Sequence, residues 1–201
     1  MMKTKYYIIF FFGSMMLFSC TQKELSVKDY LAWVNNPENG LKVSKEIKDY
    51  KIELFYKPAE YVAINEQKTT EIDTALFYQR IREIKDFQYY TLKIESLKGT
   101  EMMRTNIASE HEYSQRLQYF SDLVQYDLVL EENNDTLTCQ LFHFERNYGV
   151  APYNNIVLGF PKPTQENAKT LVFNDQILGI GKIKLKIEKE NIDNIPNIIL
   201  N

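Results

Sequence analysis

Two segments of this sequence alternate between apolar and charged residues, as a β-strand does when one of its faces is buried and the other meets water. In residues 50–57, tyrosine, isoleucine and leucine stand at the even positions, and lysine and glutamate stand at the odd positions apart from Phe55. In residues 182–188, lysine or glutamate occupies every even position and isoleucine or leucine every odd one. A strand with lysine along its outer face suits the edge of a sheet, where charge discourages pairing with a second molecule.

Further segments with strand-like sequences lie between turn-forming residues, which predicts a fold rich in β-hairpins. Pro58 ends one of the strands because its nitrogen cannot donate a ladder hydrogen bond. Lys48-Asp49 and Asn133-Asn134-Asp135 are the predicted hairpin turns. Strands are predicted at residues 41–47, 50–57, 87–97, 126–132, 136–145, 156–160, 171–173 and 183–187.

Three helices are predicted where apolar residues recur at helical spacing behind a capping pair. They begin near residues 26, 70 and 109, and the third carries an apolar stripe of Tyr113, Leu117, Phe120 and Val124. The capping pairs are Ser26 with Asp29, Thr70 with Asp73, and Ser109 with Glu112. Together these elements predict an α+β fold, a mostly antiparallel β-sheet or sandwich of about eight strands with about three helices.

The first nineteen residues have the composition of a removable export signal. Lys3 and Lys5 make a basic start, and residues 6–18 are apolar apart from an interruption at Gly13-Ser14. A basic start followed by a short apolar core is typical of a secretory signal. A permanent transmembrane helix is the weaker alternative, because it needs about 20 apolar residues to cross the bilayer.

The segment ends in Leu17-Phe18-Ser19-Cys20, which resembles the lipobox of bacterial lipoproteins. The resemblance implies cleavage before Cys20 and acylation of its thiol and of the new amino group. Palmitate-type chains on Cys20 would then hold the protein on a membrane, since two or more chains anchor a protein stably. The expected organisation is a signal peptide at 1–19, a lipidated cysteine with a short tether at 20–25, and one globular α+β domain at 26–201.

Two further resemblances bear on location. In the best-studied sorting system an aspartate after the lipidated cysteine retains a lipoprotein on the inner membrane. Thr21 at this position therefore implies the outer membrane rather than the inner, facing the periplasm or the cell surface. Residues 36–41 and 56–61 are similar to the start of uncharacterised envelope lipoproteins, which supports one exported domain in the cell envelope.

Charge and motif content exclude several function classes. The chain has 201 residues and a formal net charge of -3, and loss of Lys3 and Lys5 with the signal would leave -5. A mildly acidic chain is a poor candidate for binding nucleic acid, which is recognised by basic surfaces. No glycine-rich phosphate loop or zinc-ligand pair is present, and Gln115 stands where H-E-x-x-H needs a second histidine. No cofactor and no metal are therefore predicted.

Cys20 and Cys139 are the two cysteines of the chain. If Cys20 carries lipid, Cys139 has no disulfide partner, and the exported domain relies on its core for stability. Cys139 alternates with Leu137 and Leu141, so a buried inert thiol is predicted at this position.

His143 and Glu145 are the weak candidates for catalysis. Alternation places both on the face of Leu137, Cys139 and Leu141, and a histidine with a nearby carboxylate can act as a general base. The alternative is a histidine at the margin of the core with no catalytic role, and this interpretation carries more weight. An envelope hydrolase using His143 with Glu145 therefore stays open as the second hypothesis.

Arg146, Tyr148 and Tyr153 are the weak candidates for binding. Residues 147–155 contain a glycine, a proline and three asparagines, which is typical of a surface loop. Exposed tyrosine can stack on sugars or anchor a partner protein. The preferred hypothesis is a non-catalytic, lipid-anchored envelope module that binds a partner protein or a glycan, and a purely structural spacer is the third possibility.

Overall fold

The computed structural model describes residues 23–69 and 71–200, which form an α+β fold and confirm the predicted class. These residues contain eleven strands and five α-helices. The strands are β1 (Glu24–Ser26), β2 (Lys42–Ile47), β3 (Tyr50–Lys57), β4 (Phe87–Ser96), β5 (Leu128–Glu132), β6 (Asp135–Thr138), β7 (Leu141–Glu145), β8 (Tyr153–Pro161), β9 (Lys169–Asn174), β10 (Lys182–Ile187) and β11 (Asn197–Ile199). The helices are α1 (Val27–Asn35), α2 (Ala59–Gln67), α3 (Thr74–Ile84), α4 (Glu110–Ser121) and α5 (Lys189–Asp193).

Nine of the strands form two antiparallel sheets that share one core. The first sheet has the order β2-β3-β4-β8-β7, and the second has the order β10-β9-β5-β6. The other two strands, β1 and β11, pair in parallel as a separate ribbon. A mostly antiparallel sandwich is therefore confirmed. The structure has more strands than the eight predicted, and the two strands of the ribbon are among the additional ones.

Alternation along the strands builds the core. Every second residue of β4 from Gln88 to Ser96 is buried. In β10, Ile183, Leu185 and Ile187 are buried while the intervening lysines are exposed, and β10 is an edge strand as predicted. Burial of one such side chain contributes about 1.5–3 kcal/mol, so a one-residue slip, which would turn the lysines inward, is strongly disfavoured.

Both predicted hairpin turns are confirmed. Lys48-Asp49 joins β2 to β3, and Asn133-Asn134 joins β5 to β6. Asn133 and Asn134 have φ angles of 55° and 65°. Positive φ at both central residues is the type I′ pattern, whose twist matches that of the flanking strands, and asparagine tolerates it well.

The predicted strand at 136–145 is wrong in one respect, because it is two strands in different sheets. Cys139 and Gln140 cross between the end of β6 and the start of β7. The Gln140 backbone N–H donates to the carbonyl of Gly159 at 2.9 Å, which joins the crossing to the first sheet. After the crossing, Phe142 and Phe144 pack against the core.

Cys139 lies half-buried at this crossing. Its Sγ donates to the carbonyl of Leu141 at 3.1 Å. Burial raises the pKa of the Cys139 thiol, which keeps the group protonated and unreactive at neutral pH. The prediction of a buried thiol is thus confirmed only in part, because Cys139 is half-buried.

The first and third predicted helices begin at their predicted caps. Ser26 Oγ accepts from the Asp29 backbone N–H at 3.3 Å at the start of α1. Ser109 Oγ accepts from the Glu112 N–H at 3.2 Å, and Glu112 accepts in return from the Ala108 N–H at 3.0 Å. The side chains before each helix therefore satisfy N–H groups that lack a partner inside the helix.

The second predicted helix begins later than expected. Asp73 is its cap and accepts from the Leu76 N–H at 3.0 Å, so α3 starts at Thr74. Thr70, the predicted cap, lies outside the described residues. The short helices α2 and α5 were not predicted.

The apolar stripe of the third helix packs as predicted, although its last member lies beyond α4. Phe120 is fully buried and stacks on Phe144 of β7 at 5.9 Å between ring centroids. Val124 is buried in the following 3₁₀ helix, Leu123–Asp127. Arg116 of α4 is also buried, and its Nη1 donates to the carbonyl of Thr105 at 2.6 Å.

Loops lie at one end of the sandwich, and the β1–β11 ribbon with four of the helices lies at the other. We call these two ends the loop pole and the tether pole. The loop pole holds the turn at Lys48-Asp49, the segment 97–106 and the β7–β8 loop, and Asn106 ties two of these together by donating to Asp49 at 2.8 Å. The tether pole holds the β1–β11 ribbon with α1, α2, α3 and α5. The eight residues of β3 run between the poles, a length of roughly 25 Å.

Candidate functional site

His143 and Glu145 lie on the outer face of β7, and both are exposed. They share this face with Leu141, which is also exposed, and do not face the core as predicted, because the crossing before β7 changes which residues point inward. Glu145 accepts from the Asn155 amide of β8 at 3.1 Å. An exposed imidazole and carboxylate lack the water-excluded surroundings that strengthen electrostatic catalysis.

The β7–β8 loop has a rigid base at the loop pole. The Asn147 N–H donates to the side-chain oxygen of Asn154 at 2.8 Å, and the Asn147 amide donates to the carbonyl of Tyr153 at 2.6 Å. Asn154 is buried. On the other side, the carbonyl of Pro152 accepts from the Ser96 N–H of β4 at 2.9 Å. The sheet therefore fixes both ends of the loop.

The tip of this loop holds an exposed tyrosine in an unfavourable backbone conformation. Tyr148 has φ 49° and Gly149 has φ 79°, and the Val150 N–H donates to the carbonyl of Asn147 at 2.9 Å. This is the type I′ pattern, in which a bulky residue at positive φ is an outlier. Tyr148 is 76% exposed and Val150 is 90% exposed. Such strain is often retained where function needs the side chain.

Arginine and tyrosine side chains alternate behind the tip in an Arg–Tyr ladder of Tyr148, Arg146, Tyr113 and Arg104. The Arg146 guanidinium lies 4.6 Å from the Tyr148 ring centroid and 5.7 Å from that of Tyr113. Arg146 also donates to the Tyr113 hydroxyl. The Arg104 guanidinium lies 4.2 Å from the Tyr113 centroid. Each such contact contributes about 0.5–1 kcal/mol at an exposed site, so the ladder orders the rings.

Two carboxylates balance the charge of the ladder. Arg104 Nη1 lies 2.7 Å from Glu110, and Arg104 Nε lies 3.6 Å from Glu101. The hydrogen bond to Glu110 raises the pKa of Arg104, and the same bond lowers the pKa of Glu110. With two guanidinium groups and two carboxylates, the surface has no net charge and favours neither polyanions nor polycations.

The structure brings only two of the three binding candidates together. Arg146 and Tyr148 are adjacent in the ladder, whereas Tyr153 lies half-buried on β8 with its ring 4.2 Å from the Lys93 Nζ. Sequence reasoning missed Tyr113 and Arg104 as members of the site. Tyr113 was recognised as part of the apolar stripe of the third helix, but nothing in the sequence connects that helix to the later loop.

A second polar cluster lies inside the core near the tether pole. Lys169 Nζ lies 2.7 Å from Glu132 and 2.6 Å from Glu166. Gln88 donates to Glu132 at 2.9 Å and accepts from the Tyr90 hydroxyl at 2.7 Å. The side chains of Lys169 and Glu132 are fully buried. We therefore interpret the cluster as part of the folded core rather than as a site open to ligands.

Within residues 23–69 and 71–200, no helix has both the length and the apolar character to cross a membrane. The same residues contain no group of three or more histidine, cysteine, aspartate or glutamate side chains placed to hold a metal ion. Cys20, the predicted lipidation site, lies outside the described residues. No protein-family model matches this chain, and searches of curated proteins and of solved structures return no significant match.

Proposed function

We propose that this protein is a lipid-anchored lipoprotein of the bacterial envelope whose loop pole binds a partner protein. The observation that carries the proposal is the exposed, strained Tyr148 on a rigid loop at the pole opposite the β1–β11 ribbon. The ribbon begins at Glu24, four residues after Cys20. An acylated Cys20 would therefore hold the tether pole at the membrane and turn the loop pole away from it.

The chemistry of the loop pole suits a protein partner. Tyrosine and arginine are enriched among the residues that dominate binding energy at protein interfaces, where a single one contributes about 2 kcal/mol or more. Tyr148 and Val150 project from the tip, and the Arg146 contact orders the tyrosine ring before any partner arrives. A preordered aromatic side chain loses little conformational entropy on binding. The charge balance of the ladder favours an apolar pocket on the partner.

Acylation is tested by growing producing cells with labelled palmitate. We expect the label in the wild-type chain, and a mature mass that corresponds to cleavage before Cys20 plus acyl chains. The Cys20→Ala variant should carry no label and retain its first nineteen residues. An unlabelled wild-type chain would refute the anchor and leave the loop-pole binding as a separate question.

Partner binding is tested by placing a photo-crosslinking amino acid at Val150, which is 90% exposed beside Tyr148, in living cells. We expect one protein to be captured repeatedly and identified by mass spectrometry, and we expect Arg146→Ala to reduce that capture. Tyr126, which is 77% exposed in the 3₁₀ helix Leu123–Asp127, is the matched control position. Equal capture at both positions, or capture of glycan in place of protein, would contradict the proposed partner class.

The hydrolase alternative has its own test. If His143 acts with Glu145, then His143→Ala should abolish the cellular phenotype of the protein while its folding and acylation stay normal. The exposed positions of both residues are the reason that we favour the binding function.

A further inference from the structure

Two large apolar side chains are exposed to solvent on the β1–β11 ribbon and on the helix beside it. We call this surface the ribbon face. Tyr78 of α3 is 54% exposed, and Ile199 of β11 is 43% exposed. Ile199 pairs with Ser26 of β1, so it lies within the ribbon itself. Neighbouring exposed apolar side chains of this kind indicate a surface that contacts a partner protein or a membrane.

Shallow clefts lie on both sides of the ribbon and extend this surface. One is formed by α3 and the ribbon, and its lining includes Tyr78, Ile81 and Ile198. The other lies beside Ile199 and includes Ile72. The half-exposed Ile72, Ile81 and Ile198 thus adjoin the exposed Tyr78 and Ile199, whereas the other exposed residues of the ribbon, Glu24, Ser26 and Asn197, are polar.

Covalent geometry sets how far this face can lie from an acylated cysteine. Three peptide units separate Cys20 from Lys23, and a fully extended chain spans at most about 3.6 Å per residue, which gives roughly 11 Å. The carbonyl of Lys23 accepts from the Asn197 N–H at 2.9 Å, so the chain is already fixed to β11 at this point. Acyl chains on Cys20 therefore hold the ribbon within reach of the lipid headgroups.

We infer that the ribbon face rests on the phospholipid bilayer, with Tyr78 and Ile199 in the headgroup region. This inference rests on the proposed acylation of Cys20. Tyrosine is favoured at the membrane–water interface because its ring is apolar and its hydroxyl is polar. The clefts also carry four carboxylates, Glu24, Glu60, Glu71 and Asp73, against one cation, Lys28. These carboxylates favour a zwitterionic bilayer and oppose an anionic one, because like charges repel across the headgroup layer.

The test uses the full chain, produced in cells, extracted in detergent and reconstituted into phosphatidylcholine vesicles. Tyr78→Trp is made together with Trp33→Phe, which removes the one natural tryptophan. Phospholipids brominated high on their acyl chains quench a tryptophan that touches them. The matched control is Tyr126→Trp with Trp33→Phe, because Tyr126 is 77% exposed in the 3₁₀ helix Leu123–Asp127, which contacts α4, β5 and β9. The mass of the reconstituted protein reports acylation in the same sample.

We expect brominated lipid to quench the tryptophan at position 78 strongly and the one at position 126 hardly at all. Adding Ile199→Asp, or replacing part of the phosphatidylcholine by phosphatidylserine, should weaken the quenching at position 78. An acylated protein with equal quenching at the two positions, or with none at position 78, overturns the inference and leaves the anchor intact. A protein without acyl mass overturns the proposed anchor itself.

Discussion

Lys169 is an ammonium group with no access to water, and its inward position follows from the extent of β9, which begins two residues before the predicted strand at 171–173. Lys169 stands at an odd position, like the buried Leu171 and Phe173 of β9. Glu132 stands at an even position, like the buried Leu130 of β5. Alternation thus turns both charged side chains inward, where they meet at 2.7 Å. Two buried charges remain acceptable only as a pair, because each alone costs several kcal/mol to desolvate.

The first prediction concerns the loss of one member of this pair. Lys169→Met should lower the free energy of unfolding by about 3–5 kcal/mol, because it leaves the Glu132 carboxylate buried without its cation. The double variant Lys169→Met with Glu132→Gln removes both charges, keeps an amide for Gln88 to bind, and should recover most of that loss. Urea unfolding of the three chains measures the difference. A single variant as stable as the double variant would show that the pair is not electrostatically coupled.

The second prediction concerns acid stability. Burial acts to raise the pKa of Glu166, but the ammonium groups of Lys169 and Lys162 outweigh it, so the pKa lies below its ordinary 4.5. A carboxyl whose pKa is lower in the folded state stabilises the fold fully above the unfolded pKa, and this contribution disappears as the pH falls through the folded value. The stability gap between wild type and Glu166→Gln should therefore shrink as the pH is lowered below 4.5. Urea unfolding at several pH values measures the gap, and parallel curves would refute the coupling.

Other residues were placed wrongly or not at all from the sequence. Apolar residues stand at the odd positions 137, 139 and 141 and then at the even positions 142 and 144, which marks a change of face near the crossing between sheets. The predicted face of His143 and Glu145 followed the first set of positions and is therefore wrong. Arg116 is a charged residue one helical turn from Tyr113 and Phe120 of the apolar stripe, and its burial depends on the carbonyls of Met102 and Thr105. Such tertiary partners leave no local signal.

At the scale of elements, two substitutions in the type I′ turn at the tip of the β7–β8 loop distinguish the contribution of Tyr148 to stability from its contribution to binding. Tyr148→Asn and Tyr148→Ala both remove the ring that faces Arg146. Asparagine tolerates positive φ better than alanine does, so the Asn variant should be more stable by about 0.5–1 kcal/mol. Both variants should lose binding to the partner identified by photo-crosslinking, and to the same degree. Thermal unfolding and a binding titration measure the two effects, and an Ala variant as stable as the Asn variant would show that the turn relaxes on substitution.

The helices show where local pattern is sufficient and where it is not. α1 and α4 begin with serine caps that the sequence identifies, and their apolar faces are regular. α2 has no side-chain cap, follows Pro58, and contains the β-branched residues Val62 and Ile64, which favour a strand. Ile64 is nevertheless buried, so tertiary packing holds α2 helical against its local preference.

At the scale of the molecule, the sandwich separates the candidate binding surface from the β1–β11 ribbon. The two poles are about one strand length apart, and the residues between them are committed to the core. The fold class and the strand pairing of the hairpins follow from alternation and turn chemistry. The Arg–Tyr ladder does not, because it joins α4, the segment 101–104 and the β7–β8 loop, which meet only in the folded chain.

The last prediction concerns how stability is distributed between these regions. β4 pairs with β3 over eight residues and with β8 over nine, whereas β1 pairs with β11 over only three and lies largely exposed. Local opening needs less free energy where few contacts and few hydrogen bonds are lost. Hydrogen exchange followed by mass spectrometry should therefore find the slowest amides in β4 and much faster exchange in the ribbon. Ribbon amides as slow as those of β4 would show that the ribbon unfolds only with the whole core, and an anchored molecule would then be unable to loosen at its tether while its loop pole stays folded.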